Sequence, residues 1–179
     1  MAKTRKILTN DFFNRPTLEV AENLIGKYLI RKLDNKELAF KITEVEAYDG
    51  FEDKASHAHK GKTPRTEIMF REAGLWYVYL VYGMHWMLNI VTGPKEYPAA
   101  VLIRGTEEVS GPGRLTKKLR INKDFNYKMA TPETGLWIED KGDNVDKQKI
   151  KTTSRIGVDY AGEWAKKPYR FILDKQKEN

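Results

Sequence analysis

The chain has no cysteine and only three histidines among 179 residues. Without thiolates it forms no disulfide, cysteine zinc site or iron–sulfur cluster, so a metal would have to be held by His, Asp or Glu. Nowhere does it approach the roughly 20 consecutive apolar residues of a membrane span. Its opening, Met-Ala-Lys-Thr-Arg-Lys-Ile-Leu, is basic but lacks the apolar run of a signal peptide. These absences set the expectation of a soluble protein, away from membranes, that works without cofactor or metal.

What the chain does have is positive charge. Its 32 Lys and Arg against 25 Asp and Glu give a net charge of +7, with an isoelectric point near 9.4. A surface of that sign attracts polyphosphate first. The length suits one domain with a real core, spanning 1–179 with a basic arm at 1–10 and a solvated tail at 175–179. Pro16-Thr17 opens a short helix, with Thr17 as cap, Leu18, Ala21, Leu24 and Ile25 at helical spacing, and Gly26 where a left-handed residue is wanted. Runs 27–33 and 38–48 read as a β-hairpin joined by the polar cluster 34–37. Runs 75–81 and 84–91 flank Tyr82-Gly83, a two-residue turn signal. Strands follow at 99–104, 135–140 and 167–173, a short helix begins near Pro112, and 142–153 reads as a polar connection. The pattern reads as mixed, with strands outnumbering helices.

Chemistry concentrates between Glu44 and Asn89. Carboxylates, a histidine and a ladder of tyrosines share this stretch, as expected of a site that grips a flat ring and does hydrolysis beside it. Period-two alternation puts Phe40, Ile42, Glu44, Glu46 and Tyr48 on one face, apolar at one end and acidic at the other, as in a strand that leaves the core for a cleft. From the residues alone, Glu46 reads equally as a surface strand carboxylate, Glu44 competes with it, and the tyrosines also suit core packing. His57-Ala-His59 invites a metal reading, but alternate histidines rarely complete a site, and Asp49, Glu52 and Asp53 fit an exposed loop.

Several runs in order carry a resemblance: Asp11-Phe-Phe-Asn-Arg-Pro, Glu44-Val-Glu-Ala-Tyr48, Glu52-Asp53 with His57, Lys62-Thr-Pro-Arg65, Tyr77-Val-Tyr with Tyr82-Gly-Met84, Val101-Leu-Ile-Arg104, Ser110-Gly-Pro, and Arg155-Ile-Gly-Val with Ala161-Gly-Glu-Trp-Ala165. Together they resemble the alkyladenine, or 3-methyladenine, DNA glycosylase family over nearly the whole chain. The resemblance implies an α+β fold, a single mixed domain around an antiparallel sheet, and a monofunctional base-excision enzyme acting on duplex DNA with damaged purines, monomeric, and cytoplasmic and nucleoid-associated, or nuclear in a eukaryote. A rival from another class is a non-catalytic protein that binds damaged DNA.

Residue by residue, the resemblance makes Glu46 the general base and Arg104 its partner in holding the water, with the backbone carbonyl near Ile156 as a third ligand. A guanidinium there would favour the ionised carboxylate. Tyr48, His57 and Tyr79 match the residues that sandwich the flipped base, and Asn89 matches the asparagine against the pocket floor. Tyr82 matches the wedge that fills the vacated stack, on a protruding hairpin, with Met84 and His85 flanking it along the groove. Arg65, Arg114, Lys117 and Lys118 are phosphate-contact candidates. One departure is evident: Arg104 and Ser110 are joined almost directly, where family members commonly carry a longer segment.

Overall fold

In the computed structural model, which describes residues 4–174, strand β1 (Lys6–Ile7) precedes two short helices, α1 (Asn10–Phe13) and α2 (Thr17–Leu24). A hairpin of β2 (Tyr28–Leu33) and β3 (Lys36–Asp49) follows, then a long irregular segment and a second hairpin, β4 (Trp76–Val81) and β5 (His85–Val91). Strand β6 (Ala99–Thr106) leads into α3 (Pro112–Lys118), and β7 (Leu136–Asp140), β8 (Ile150–Thr153) and β9 (Arg170–Leu173) complete the order. The sheet runs β1-β7-β2-β3-β6-β5-β4, with β9 joined to β3 and β8 to β9. Every pairing is antiparallel, so the α+β class expected from the sequence is the observed one.

Local chemistry explains most boundaries. The β2–β3 turn is tighter than the four-residue cluster suggested: Asp34 and Asn35 alone make it, at φ 49° and 62°, because Lys36 and Glu37 already pair with Leu33 and Lys32. Asn and Asp tolerate that left-handed geometry, and their two-residue turn matches strand twist. Thr17 does not cap α2. Pro16 holds that position, and Thr17 is buried with its hydroxyl accepting a hydrogen bond from Thr92 at 3.1 Å. The polar segment 142–153 contains an unforeseen strand, β8, whose central Lys151 and Thr152 are exposed. An edge strand pairing on one side needs little apolar content, which is why its composition read as a connection.

The basic arm, where described, is fastened rather than loose. Lys6 and Ile7 pair with β7, Leu8 is buried, and Arg5 donates to Glu139 at 2.7 Å. Residues 1–3 and the tail at 175–179 lie outside the described residues. The main core gathers Leu24, Leu29, Ile42, Trp76, Leu88, Ile103 and Leu115, all inaccessible to solvent. Burying each stabilises the fold by roughly 1.5–3 kcal/mol. Trp76 satisfies its indole N–H by donating to the Leu136 carbonyl at 3.0 Å.

β3 does not keep one face throughout. Its register against β6 shifts between Ile42 and Glu44 and again between Glu44 and Val45. Thr43 is the extra residue on β3 and Arg104 the extra residue on β6, two bulges that nearly offset each other. Before them Phe40 and Ile42 enter the main core; after them Val45 and Ala47 do. The single face predicted for Phe40 through Tyr48 is therefore corrected: the bulge changes parity, and Glu46 and Tyr48 occupy the side opposite to that core. Bulges recur beside active sites because they re-aim side chains.

Candidate active site

Directly paired residues of antiparallel strands share a face. Glu46 pairs with Leu102, Leu102 with Asn89, and Asn89 with Tyr77. One row thus crosses β3, β6, β5 and β4 with a carboxylate at one end and a phenol at the other. A cavity of about 480 Å³ opens above it, walled by Tyr48, Tyr77, Tyr79, Asn89, Leu102 and Arg104 from the strands, and by His57, Arg65, Ile156 and Tyr160 from loops.

Glu46 is fully buried. Its Oε2 accepts from the Tyr48 hydroxyl at 2.8 Å, and its Oε1 from the Ile156 backbone N–H at 2.8 Å. Arg104 Nε lies 3.5 Å from Glu46 but 3.1 Å from Glu44, and Arg170 donates to the same Glu44 oxygen at 2.7 Å. Glu44 is thus the anchor that two arginines share. Burial raises the Glu46 pKa, and Arg104, the Ile156 N–H, Tyr48 and Arg170 only partly oppose it. Arg104 acts in the expected direction, towards the ionised form, but it also pairs with Glu44, and burial outweighs it. The Ile156 amide N–H, for its part, donates to the carboxylate itself.

The aromatic wall is less symmetrical than a sandwich. His57 and Tyr79 meet edge to face, centroids 4.9 Å apart at 73°, while Tyr77 lies tilted beside Tyr79 at 5.0 Å. Partial burial, with Arg65 second, lowers the His57 pKa to about 4 although the residue opens to solvent, so the ring is neutral at neutral pH. Tyr48 and Tyr79 are raised, first by burial. Asn89 is buried and lines the cavity while Nδ2 donates to the Tyr77 carbonyl at 3.1 Å. Arg65 does not stand free: its guanidinium lies 4.9 Å over the Tyr79 ring.

At the cavity rim the β4–β5 hairpin turns through three residues, Tyr82 to Met84, because Val81 pairs with His85; the turn is one residue longer than the expected pair, with Tyr82 and Gly83 both left-handed at φ 50° and 66°. The turn therefore needs left-handed backbone from the tyrosine as well as from the glycine. Tyr82 is 93% and Met84 68% exposed. His85 instead starts β5 and packs close to α3: a Cβ on Gly113 would come within 3.0 Å of its ring. α3 buries Leu115 and Thr116 and leaves Arg114, Lys117 and Lys118 exposed. The short link after β6 is closed by Thr106 and Val109, whose backbones bond at 2.8 Å.

Three site residues went unforeseen. Tyr77 and Tyr160 line the cavity, and Asp53, expected in an exposed loop, is wholly buried against Arg155. The strand alternation Tyr77-Val-Tyr79 was a usable signal for the first. No local pattern marks an ion pair between residues 102 positions apart. His59 turns away to the Phe51 carbonyl at 2.8 Å, and among the described residues no three His, Cys, Asp or Glu side chains gather as metal ligands.

The sequence that builds this sheet, with its buried carboxylate, aromatic cavity and exposed hairpin tip, has counterparts among known proteins. The family model described as Methylpurine-DNA glycosylase matches residues 11–111 and 106–177, and the chain belongs to that family. Its two matched pieces overlap at 106–111, in the link after β6. Relatives include a protein of Methanocella arvoryzae, 44% identical over 92% of this chain and 91% of its own length, and one of Psychrobacter cryohalolentis, 40% identical over 93% and 91%. A protein of Clostridium botulinum is 38% identical over 96% and 97%. All three carry the name "Putative 3-methyladenine DNA glycosylase".

Proposed function

We propose that the protein is a monofunctional DNA glycosylase that flips alkylated or deaminated purines from duplex DNA and hydrolyses the N-glycosidic bond. The substrate class includes 3-methyladenine, 7-methylguanine, hypoxanthine and etheno-adenine. The observation that carries the reading is Glu46: fully buried, and fixed by two donors, Tyr48 and Ile156, that themselves line the ring-walled cavity.

In this reading Glu46 accepts a proton from water as the water oxygen bonds to the sugar C1′. The bond from C1′ to the base nitrogen breaks, and its electron pair leaves with the base. The carboxylate also faces the positive charge that grows on the sugar. Arg104 orients the water together with Glu46. Tyr48 on one side and the His57–Tyr79 pair on the other hold the extruded base. A 3-methyladenine ring is cationic, so electron-rich tyrosines and an uncharged His57 suit it. Tyr82 enters the vacated stack, with Met84 and His85 along the groove, and Arg65, Arg114, Lys117 and Lys118 meet phosphates.

The test is to incubate the protein with methylated duplex DNA and a chelator, then assay free base and strand breaks. Free base with intact abasic strands supports the reading. Intact DNA identifies a non-catalytic binder, and chelator-sensitive nicks a metal nuclease.

A further inference from the structure

We infer that Arg155 and Asp53 are positioning residues: a buried pair behind the cavity that holds Glu46, Tyr48 and the His57 loop in working register. This rests on Glu46 being the base that activates water.

Both side chains are completely buried. The Arg155 Nη2 donates to Asp53 Oδ1 at 2.8 Å and to the Trp164 carbonyl at 3.1 Å, and Nη1 reaches the other Asp53 oxygen and the Ala47 carbonyl, the latter at 2.8 Å. Asp53 in turn accepts from the backbone N–H of Asp49 at 3.0 Å and of Ala55 at 3.1 Å. The contacts fall around the site. Ala47 separates Glu46 from Tyr48, the guanidinium lies 4.8 Å over the Tyr48 ring, and Ala55 precedes His57 by two residues. Ile156, whose N–H bonds Glu46, is the next residue after Arg155.

Stability alone explains such a pair poorly. Two buried charges carry a desolvation penalty that well-packed apolar side chains avoid. What the fork offers is direction: it joins β3 to two loops, at 53–57 and 155–160, that belong to no strand. If the fork is lost, Ile156 is free to leave Glu46, and the carboxylate loses a hydrogen bond that favours its ionised form. The other charged or titratable groups facing Glu46 are Tyr48 and Glu44 on β3, Arg104 on β6, Arg170 on β9, Tyr79 on β4, and Tyr160 in the loop. All of them stay in place in the variants below.

The experiment is single-turnover excision from methylated duplex across pH for wild type, Arg155→Lys and Asp53→Asn, expressed per folded protein, with Glu46→Gln as control. The lysine keeps the charge and loses the fork. The expected result is a rate lower by about 10- to 100-fold near neutral pH, an acid limb moved to higher pH, and duplex affinity little changed. An unchanged acid limb and rate per folded molecule would overturn the inference while an inactive Glu46→Gln upholds the base. Full activity of Glu46→Gln instead removes the base assignment, and this inference with it. Should neither variant fold, the Ile156 amide proton of the wild type is followed by NMR through the acid limb. An inflection there supports the link, and a flat trace overturns it.

Discussion

The Tyr48 hydroxyl donates to Glu46 at 2.8 Å although the two residues sit only two positions apart on β3. The same tyrosine lines the cavity, so it joins the wall that would hold the base to the carboxylate that would act on the water. Its hydrogen bond is one of the forces that lower the Glu46 pKa against burial. Tyr48→Phe keeps the ring and deletes that bond. The Glu46 pKa should then rise further, and the acid limb of the single-turnover rate should move to higher pH while lesion binding stays near wild type. An acid limb in its original place would mean that the hydroxyl contributes nothing to the ionisation of the base.

Glu46→Gln should abolish excision, by about 100-fold or more, yet stabilise the fold. The sign follows from linkage. A carboxyl whose folded pKa is raised contributes stability below its unfolded pKa, and that contribution is lost as pH rises through the folded value. At neutral pH, well above the unfolded pKa, burying Glu46 is therefore a cost. Glutamine removes it, and the Tyr48 hydroxyl can reverse to accept from the new amide while Ile156 still donates to its oxygen. Thermal unfolding should show a higher Tm at neutral pH, about 2–4 °C for each kcal/mol gained. The difference should shrink in acid. A Tm that falls equally at every pH contradicts the burial argument.

Tyr82→Ala should weaken binding to lesion duplex by about 1 to 3 kcal/mol, the range for one lost aromatic stack. A ring 93% exposed on a hairpin tip has little to hold within the fold, so the protein should unfold at nearly the same temperature. Fluorescence of a base analogue at the lesion separates extrusion from first contact. Unchanged extrusion in the mutant would leave Tyr82 as a turn residue only.

Much of this architecture was legible because its signals are local. Gly26 at φ 86° after α2 and Pro112 at the start of α3 stand where helix chemistry puts them, and Tyr82-Gly83 marked its hairpin. What escaped was set by long-range contact. The bulges at Thr43 and Arg104 belong to the pairing of β3 with β6, so period-two reading carried one face through a strand that changes it. Asp53 looked like loop polarity because its partner, Arg155, lies 102 residues away. The raised pKa of Glu46 escaped for a related reason: the sequence suggests an arginine nearby, but only the fold reveals that Glu44 shares it and that burial outweighs it.

Neutralising Lys117 and Lys118 together should weaken lesion and normal duplex alike. Both are exposed on α3, and phosphate contact carries no sequence information. Each lost contact should reduce the slope of log affinity against log salt by about 0.9. A loss confined to lesion DNA would place these lysines in recognition of the damage instead.

Asn89 serves the hairpin and the cavity at once. Its side-chain N–H₂ donates to the Tyr77 carbonyl at 3.1 Å, which fixes the amide, while the residue lines the cavity in the same row as Glu46 and Leu102. A fixed side chain rejects a ligand by contact more sharply than one free to swing aside. Guanine carries an exocyclic amino group that adenine and hypoxanthine lack at that ring position, and a glycosylase surrounded by normal guanine needs a filter against it. Asn89→Ser and Asn89→Ala should therefore raise release of guanine-type bases relative to hypoxanthine. Leaving the Tyr77 carbonyl without its side-chain donor costs about 1–3 kcal/mol, so the serine variant is the safer of the two. Single-turnover release from guanine mispairs and from hypoxanthine duplexes, measured on folded protein, decides the matter. An unchanged ratio would confine Asn89 to its hydrogen bond within the hairpin.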